Sequence, residues 1–290
     1  MAITNKKIFH FILLFIIAFI WGSSFILMKK GLLVFNEYEV ALLRMSIAFI
    51  SILPFIWKKI LKINKKHIIP ILIVAFFGNG IPAFLFTKAQ TQLDSSLVGI
   101  LNALVPIFTF LISIYLFKNR LIIKQLLGII IGLLGAITLI AFNGIYTNNI
   151  SYSYYVVIAT ICYAISLNTI KYSLCNISAT DIAGFAFLTV GPICIFGLFF
   201  TEFFHKICYV KNSGSALFYI ILLSTIGTSL ALVWFNKLIK ETNEIFASSV
   251  TYLIPIVAII WGFIDGEIIN WNHIICILII LSGIYLVNKE

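Results

Sequence analysis

The sequence predicts an all-α membrane protein of ten transmembrane helices, built as two inverted five-helix repeats around a central cavity. Three observations carry this expectation. With 62% hydrophobic and only 10% charged residues, the chain has too little polar surface for a water-soluble fold. The apolar residues fall in blocks of about 20, the length a helix needs to cross roughly 30 Å of hydrocarbon. Finally, the chain repeats itself at a spacing of 149 positions.

The repeat centres on an uncharged run, 95–117, which the 149 register lays over 244–266. Pro106 then falls on Pro255, Asn102 on Thr251 and Gly99 on Ser248, and further upstream Gly78 falls on Gly227, Phe86 on Phe235 and Lys88 on Lys237. A weaker echo at 142 positions sets Trp21 on Tyr163, Gly22 on Ala164, Ser24 on Ser166, Lys29 on Lys171 and Glu39 on Asp181. The change of spacing implies about seven extra residues in the second half, near 204–213. A polar, uncharged junction at 143–151 separates the units, giving repeats over 1–147 and 148–290.

Taken in order, the first span, 8–28, follows Lys6 and Lys7 but is longer than the apolar core of a signal peptide. No small-residue cleavage site follows it, so it is retained. The second, 40–57, starts behind Glu37 and Glu39 and contains Arg44; the third, 68–87, holds Asn79 and Pro82. The fourth, 97–117, holds Asn102 and Pro106, and the fifth, 126–142, carries Gly128, Gly132 and Gly135. Tyr163 and Asn168 lie in the sixth, 152–170, and Pro192 in the seventh, 182–201. Ser229 and Trp234 fall in the eighth, 216–236, and Thr251, Tyr252 and Pro255 in the ninth, 245–264. The tenth, 274–287, carries Ser282-Gly283. Gly128 and Gly132 form a GxxxG, which brings helices close; packing within one chain is the expected use, and the chain reads as a monomer or weak homodimer.

Basic residues set the orientation, because Lys and Arg beside span ends stay on the cytoplasmic side. With the N-terminus inside, fourteen of the twenty fall on inner segments and five on outer ones, with Arg44 within a span. Both termini are therefore expected to face the cytoplasm, across a cytoplasmic membrane. Five spans per copy is an odd number, so the second copy enters the bilayer from the opposite side. Halves related in this way can exchange roles, one opening outward as the other opens inward.

The net charge of +10 does not point to nucleic acid, since the lysines lie between apolar blocks and form no basic stripe. Five cysteines show neither CxxC nor metal-like spacing with the four histidines, and no P-loop is present, so no cofactor or metal is expected. The expected partners are lipid and a small-molecule substrate.

These features resemble the EamA-type members of the drug/metabolite transporter superfamily. Trp21-Gly22-Ser23-Ser24-Phe25 with Lys29, Arg44, the two proline-bearing helices, and the Gly128/Gly132/Gly135 helix with its Ser282-Gly283 partner carry the resemblance over essentially the whole chain. It implies a ten-helix secondary transporter with a central cavity, moving small organic metabolites such as amino acids, often outward. Members commonly carry an acid after the fourth and ninth helices. Glu267 fits the second position, whereas Lys118 stands at the first. Nucleotide-like or lipid-linked metabolites are the alternative substrates. A channel would need charge rings or a filter loop, and an intramembrane enzyme a nucleophile or metal cluster; neither is visible.

Candidate pathway residues are those whose polarity or breadth is costly in lipid and useful in a wet cavity. They are Trp21, Ser23, Ser24, Asn79, Asn102, Tyr163, Asn168, Ser229, Trp234, Thr251 and Tyr252. Hydrogen bonding or packing between helices is the other use for each. Pro82, Pro106 and Pro255 are kink or hinge candidates, because each frees a carbonyl inside a span. Arg44 is the one intramembrane charge, with two readings: an anion contact, or a tie to Glu37, Glu39 or backbone carbonyls. All ten acids lie near span ends, so any proton coupling would use a group at the mouth, such as Asp94 or Glu244.

Overall fold

The computed structural model describes residues 2–57, 64–117, 123–147, 150–242 and 250–288, and among them the chain is helical between short turns. The first repeat comprises α1 (Ala2–Leu32), α2 (Glu37–Ile56), α3 (Lys65–Gln90), α4 (Ser95–Asn102, resuming as Val105–Phe117) and α5 (Ile123–Thr147). The second comprises α6 (Ile150–Ser173), α7 (Ala179–Leu198), a short α8 (Phe203–Tyr209), α9 (Ser213–Glu241), α10 (Val250–Ile264) and α11 (Trp271–Asn288). Among the described residues seven helices are long and apolar enough to cross a bilayer, and three shorter apolar helices accompany them within α5, α10 and α11. Seven crossing-length helices make this a multi-pass membrane protein.

Local chemistry sets several helix ends. Asn36 caps α2 by accepting the Glu39 amide at 2.9 Å, while the Glu39 carboxylate accepts the Asn36 amide at 2.8 Å, a reciprocal capping box. The extra residues that interrupt the second repeat's register form α8, beside which Ser213 opens α9.

Three helices are irregular at related places. In α3 the residues Phe76–Gly80 form a π-turn, and in α9 the residues Thr225–Leu230 form another. Pro82 stands in the first turn of the regular helix that resumes after the α3 π-turn, where its missing N–H costs least. In α4 the Ala103 and Leu104 amides bond only three residues back, to Ile100 and Leu101, and the helix restarts with Pro106 in its first turn. Pro255 lies within α10.

The two repeats pack reciprocally. Helix α1 lies against α9 and α10 while its counterpart α6 lies against α3 and α4; α2 pairs with α7, α4 with α10, and α5 with α11. Small residues make the closest crossings possible. A Cβ on Gly227 would fall 2.7 Å from Ser24 Oγ, and one on Gly78 would fall 2.3 Å from Ser166 Oγ, so both sequence registers meet in one symmetric contact. At the α5–α11 crossing a Cβ on Gly283 would fall 2.4 Å from the Gly132 nitrogen, and thus the GxxxG serves packing within the chain. Buried Ile17, Met28, Leu97, Leu101 and Ile254 fill one core and Met45, Ile52, Ile182 and Phe187 a second. Phe15, Ile137, Phe196 and Leu278 are left on the outside, a surface suited to lipid.

Candidate functional site

Between the repeats lies a cavity of about 140 Å³, walled by α1, α2, α3, α4, α6, α9 and α10. It brings together eight of the residues singled out from sequence: Trp21, Ser24, Arg44, Asn79, Asn102, Pro106, Tyr163 and Thr251. Phe25, Met28, Phe86, Gly227, Thr228, Phe235 and Asn236 complete much of the wall.

Two π-turns shape it. Asn79 Nδ2 donates to the Val74 carbonyl at 3.1 Å, five residues back, and Thr228 Oγ1 donates to the Leu223 carbonyl at 2.9 Å, also five back. The polar side chains thus help satisfy carbonyls that the wider turn leaves under-bonded, in a bundle where lipid offers no partner. Trp21 Nε1 donates to the Gly227 carbonyl at 3.1 Å, fixing α1 on the α9 turn. Its ring meets Phe235 edge-on at 4.7 Å between centroids, and Tyr163 stacks on Phe86 at 5.7 Å, the corresponding pair from the other repeat. The body of the cavity is therefore aromatic and apolar.

Arg44 is the single charged residue in this wall. It is 9% exposed, and its Nε donates to Thr228 Oγ1 at 2.9 Å. Its guanidinium also reaches the Tyr163 hydroxyl. The expected tie to Glu37 or Glu39 is not made: Glu37 takes Lys88 at 2.7 Å and Glu39 takes Lys206 at 2.8 Å. Arg44 therefore has neutral neighbours and no carboxylate among the described residues. Asn102 Oδ1 and Asn236 Oδ1 are buried without a hydrogen-bond partner there.

Other candidates sit off the wall. Ser23 Oγ donates to the Phe19 carbonyl at 2.7 Å and accepts from Trp261 Nε1 at 2.8 Å, tying α1 to α10. Asn168 Nδ2 reaches the Thr109 carbonyl at 3.0 Å and the Ala164 carbonyl at 2.9 Å, so it joins α6 to α4. Ser229 and Trp234 are each one residue from a lining residue, Thr228 and Phe235, and helical rotation turns them away. Pro82 and Pro255 are buried behind the wall. The Tyr252 side chain, Glu244 and Lys118 lie outside the described residues. Thr228 and Phe235 are lining residues that the sequence reading did not single out as pathway candidates, although the 149 register applied to Asn79 and Phe86 lands on them.

At one end of the bundle, ion pairs cross between the repeats. Lys29 on α1 meets Asp265 at 2.9 Å and Glu267 at 2.8 Å, and Lys30 bonds Asp265. Glu267 also accepts the Ser95 amide at 2.9 Å, the Ser95 hydroxyl at 2.6 Å and the Ser96 amide at 3.0 Å, so it caps α4. Burial would raise its carboxyl, but hydrogen bonds from Lys29, Ser95 and Ser96 hold it below the ordinary range. Partial burial and the neighbouring Glu267 charge push the Asp94 carboxyl upward.

A duplicated helical unit with several crossing-length helices around a polar-spotted cavity defines a multi-pass membrane protein. The chain belongs to the EamA-like transporter family, whose profile matches residues 8–141 and again 150–289. It is similar to Protein PagO of Salmonella typhimurium strain LT2, with 22% identity over 290 residues, covering 97% of this chain and 93% of that one. Its fold is similar to that of a solved crystal structure, with a TM-score of 0.65 at 14% identity, covering 95% of this chain and 94% of the other.

Proposed function

We propose that the chain is a secondary carrier for small organic metabolites, amino acids or related compounds, which it exports across the cytoplasmic membrane by alternating access. The observation that carries the reading is the cavity: it lies where equivalent helices of both repeats meet, at their π-turns and at the break before Pro106. Irregular backbone at membrane depth is tolerated where it lines a cavity, and a carrier places its substrate there. At about 140 Å³, against a share of about 30 Å³ per water in the liquid, the space holds on the order of five waters or one small molecule of amino-acid size.

In this reading α1–α5 and α6–α11, with the short α8 as a connector, form ten spans in two inverted sets, with both termini cytoplasmic. The Lys29–Glu267 and Lys206–Glu39 pairs then lie at the external face and hold the two repeats together there. Exchange of access requires these contacts to open while the opposite end closes. Trp21, Asn79, Asn102, Tyr163 and Thr251 face the substrate, and no cofactor takes part.

Proteoliposomes carrying the protein test this by counterflow over amino acids, nucleotide-like compounds and lipid-linked compounds, with and without a pH gradient. Saturable flux of at least one small metabolite is expected. Flux no faster than in protein-free liposomes for every compound would sink the carrier reading.

A further inference from the structure

Arg44 is an intramembrane cation that meets no counter-charge among the described residues. More than nine-tenths of its surface is buried, and the rest of the cavity wall is uncharged. The two nearest acids in sequence are already committed, Glu37 to Lys88 and Glu39 to Lys206. A guanidinium out of water without a counter-charge is costly, and its contacts with Thr228 and the Tyr163 hydroxyl are to neutral groups. Its Nε is held by Thr228, which is itself anchored to the Leu223 carbonyl, so the plane of the fork is set. A guanidinium held this way favours bidentate recognition of a planar oxyanion.

We infer that the cavity takes a substrate with an anionic head, the carboxylate of a small organic acid, seated on Arg44 with its apolar body among Trp21, Phe86 and Phe235. This rests on the carrier reading and adds the substrate's charge class. One positive charge matches a monoanion, and a carboxylate fits it better than a dianionic phosphate. The aromatic pairs on either side supply an apolar environment for the rest of the molecule.

The test uses the purified full-length protein in detergent, read by thermal unfolding and by tryptophan fluorescence. The probes are phenylacetate, 3-methylbutanoate and hexanoate, each against its own amide, plus phenylphosphonate. At least one carboxylate is expected to bind about tenfold or more tighter than its amide, the loss anticipated when a charge-assisted bond becomes a neutral one. Arg44→Gln is expected to abolish that preference and Arg44→Lys to keep part of it. Equal binding of acid and amide, absence of binding by all three acids, retained preference in Arg44→Gln, or tighter phenylphosphonate would overturn the assignment. The wild-type comparison decides even where Arg44→Gln fails to fold. Carboxylate binding without flux would remove the carrier reading and keep this site; flux without acid preference would do the reverse.

Discussion

Asn79 and Thr228 stand 149 positions apart and play the same part in their helices, each folding onto a carbonyl five residues back within a π-turn that faces the cavity. The polar side chains differ in kind, but the backbone task is shared. Thr228 does one thing more, accepting from Arg44 Nε, and in that the two halves diverge. A duplicated scaffold thus carries an asymmetric site.

Thr228→Val removes an acceptor from a buried guanidinium and a donor from the Leu223 carbonyl. A loss of about 1–3 kcal/mol of stability is expected, with Thr228→Ser retaining most of it. Thermal unfolding of both variants in one detergent checks this, and equal midpoints would contradict the hydrogen-bond chain.

Asn102→Leu separates function from folding. Because Asn102 Oδ1 is buried without a partner among the described residues, leucine removes an unsatisfied acceptor, and the unfolding midpoint should hold or rise. Transport in proteoliposomes should nevertheless fall about tenfold, the scale of one lost polar contact of about 1.4 kcal/mol. Trp21→Ala should likewise reduce transport, since it deletes an aromatic wall. Unchanged flux in both would take them out of the pathway.

Gly283→Leu should separate α5 from α11. A side chain there would meet the Gly132 backbone, and overpacking of this kind costs about 1–3 kcal/mol or more. Gly214→Leu is the control, because nothing lies within 4 Å of a Cβ there. Comparable midpoints for the two variants would refute the packing role.

The Glu267 tie should be sensitive to acid in one direction. Its carboxyl titrates below the ordinary value of 4.5, so its stabilising effect is present above that value and fades as pH falls through the lowered one. The midpoint difference between wild type and Glu267→Gln should be constant from about pH 7 to 5 and close under stronger acid. A difference that persists there, or vanishes already near pH 6, would contradict the assignment.

Orientation has its own measurement. Protease-cleavable tags on the two termini should both be protected in intact cells. External cleavage of both tags would reverse the proposed topology and put the Lys29–Glu267 pairs on the inner face, and cleavage of one alone would overturn the ten-span count.

Much of the fold was legible because it is written in registers. Pro106 over Pro255 and Ser24 over Ser166 are linear relationships, and the helices that carry them do meet reciprocally in space. The site was half legible. Trp21, Asn79, Asn102, Tyr163 and Thr251 reach the cavity, whereas Ser23 and Asn168 are spent on interhelical hydrogen bonds that polarity alone could not distinguish from a pathway role. Ser229 and Trp234 missed by one position. Because both repeats carry the π-turn, the 149 register from Asn79 and Phe86 points to their neighbours Thr228 and Phe235, whereas residue type alone does not choose between adjacent positions.

By itself the sequence determined the membrane class and the duplication, because burial in lipid demands long apolar segments and a repeat preserves its register. Only the tertiary structure decided which face of each helix turns inward, that Glu37 and Glu39 go to Lys88 and Lys206, and that Arg44 is left with neutral partners. Those choices depend on the rotation of each helix about its axis and on which neighbours reach which charge. Such relations exist between segments far apart in the chain, where a linear pattern carries no azimuth.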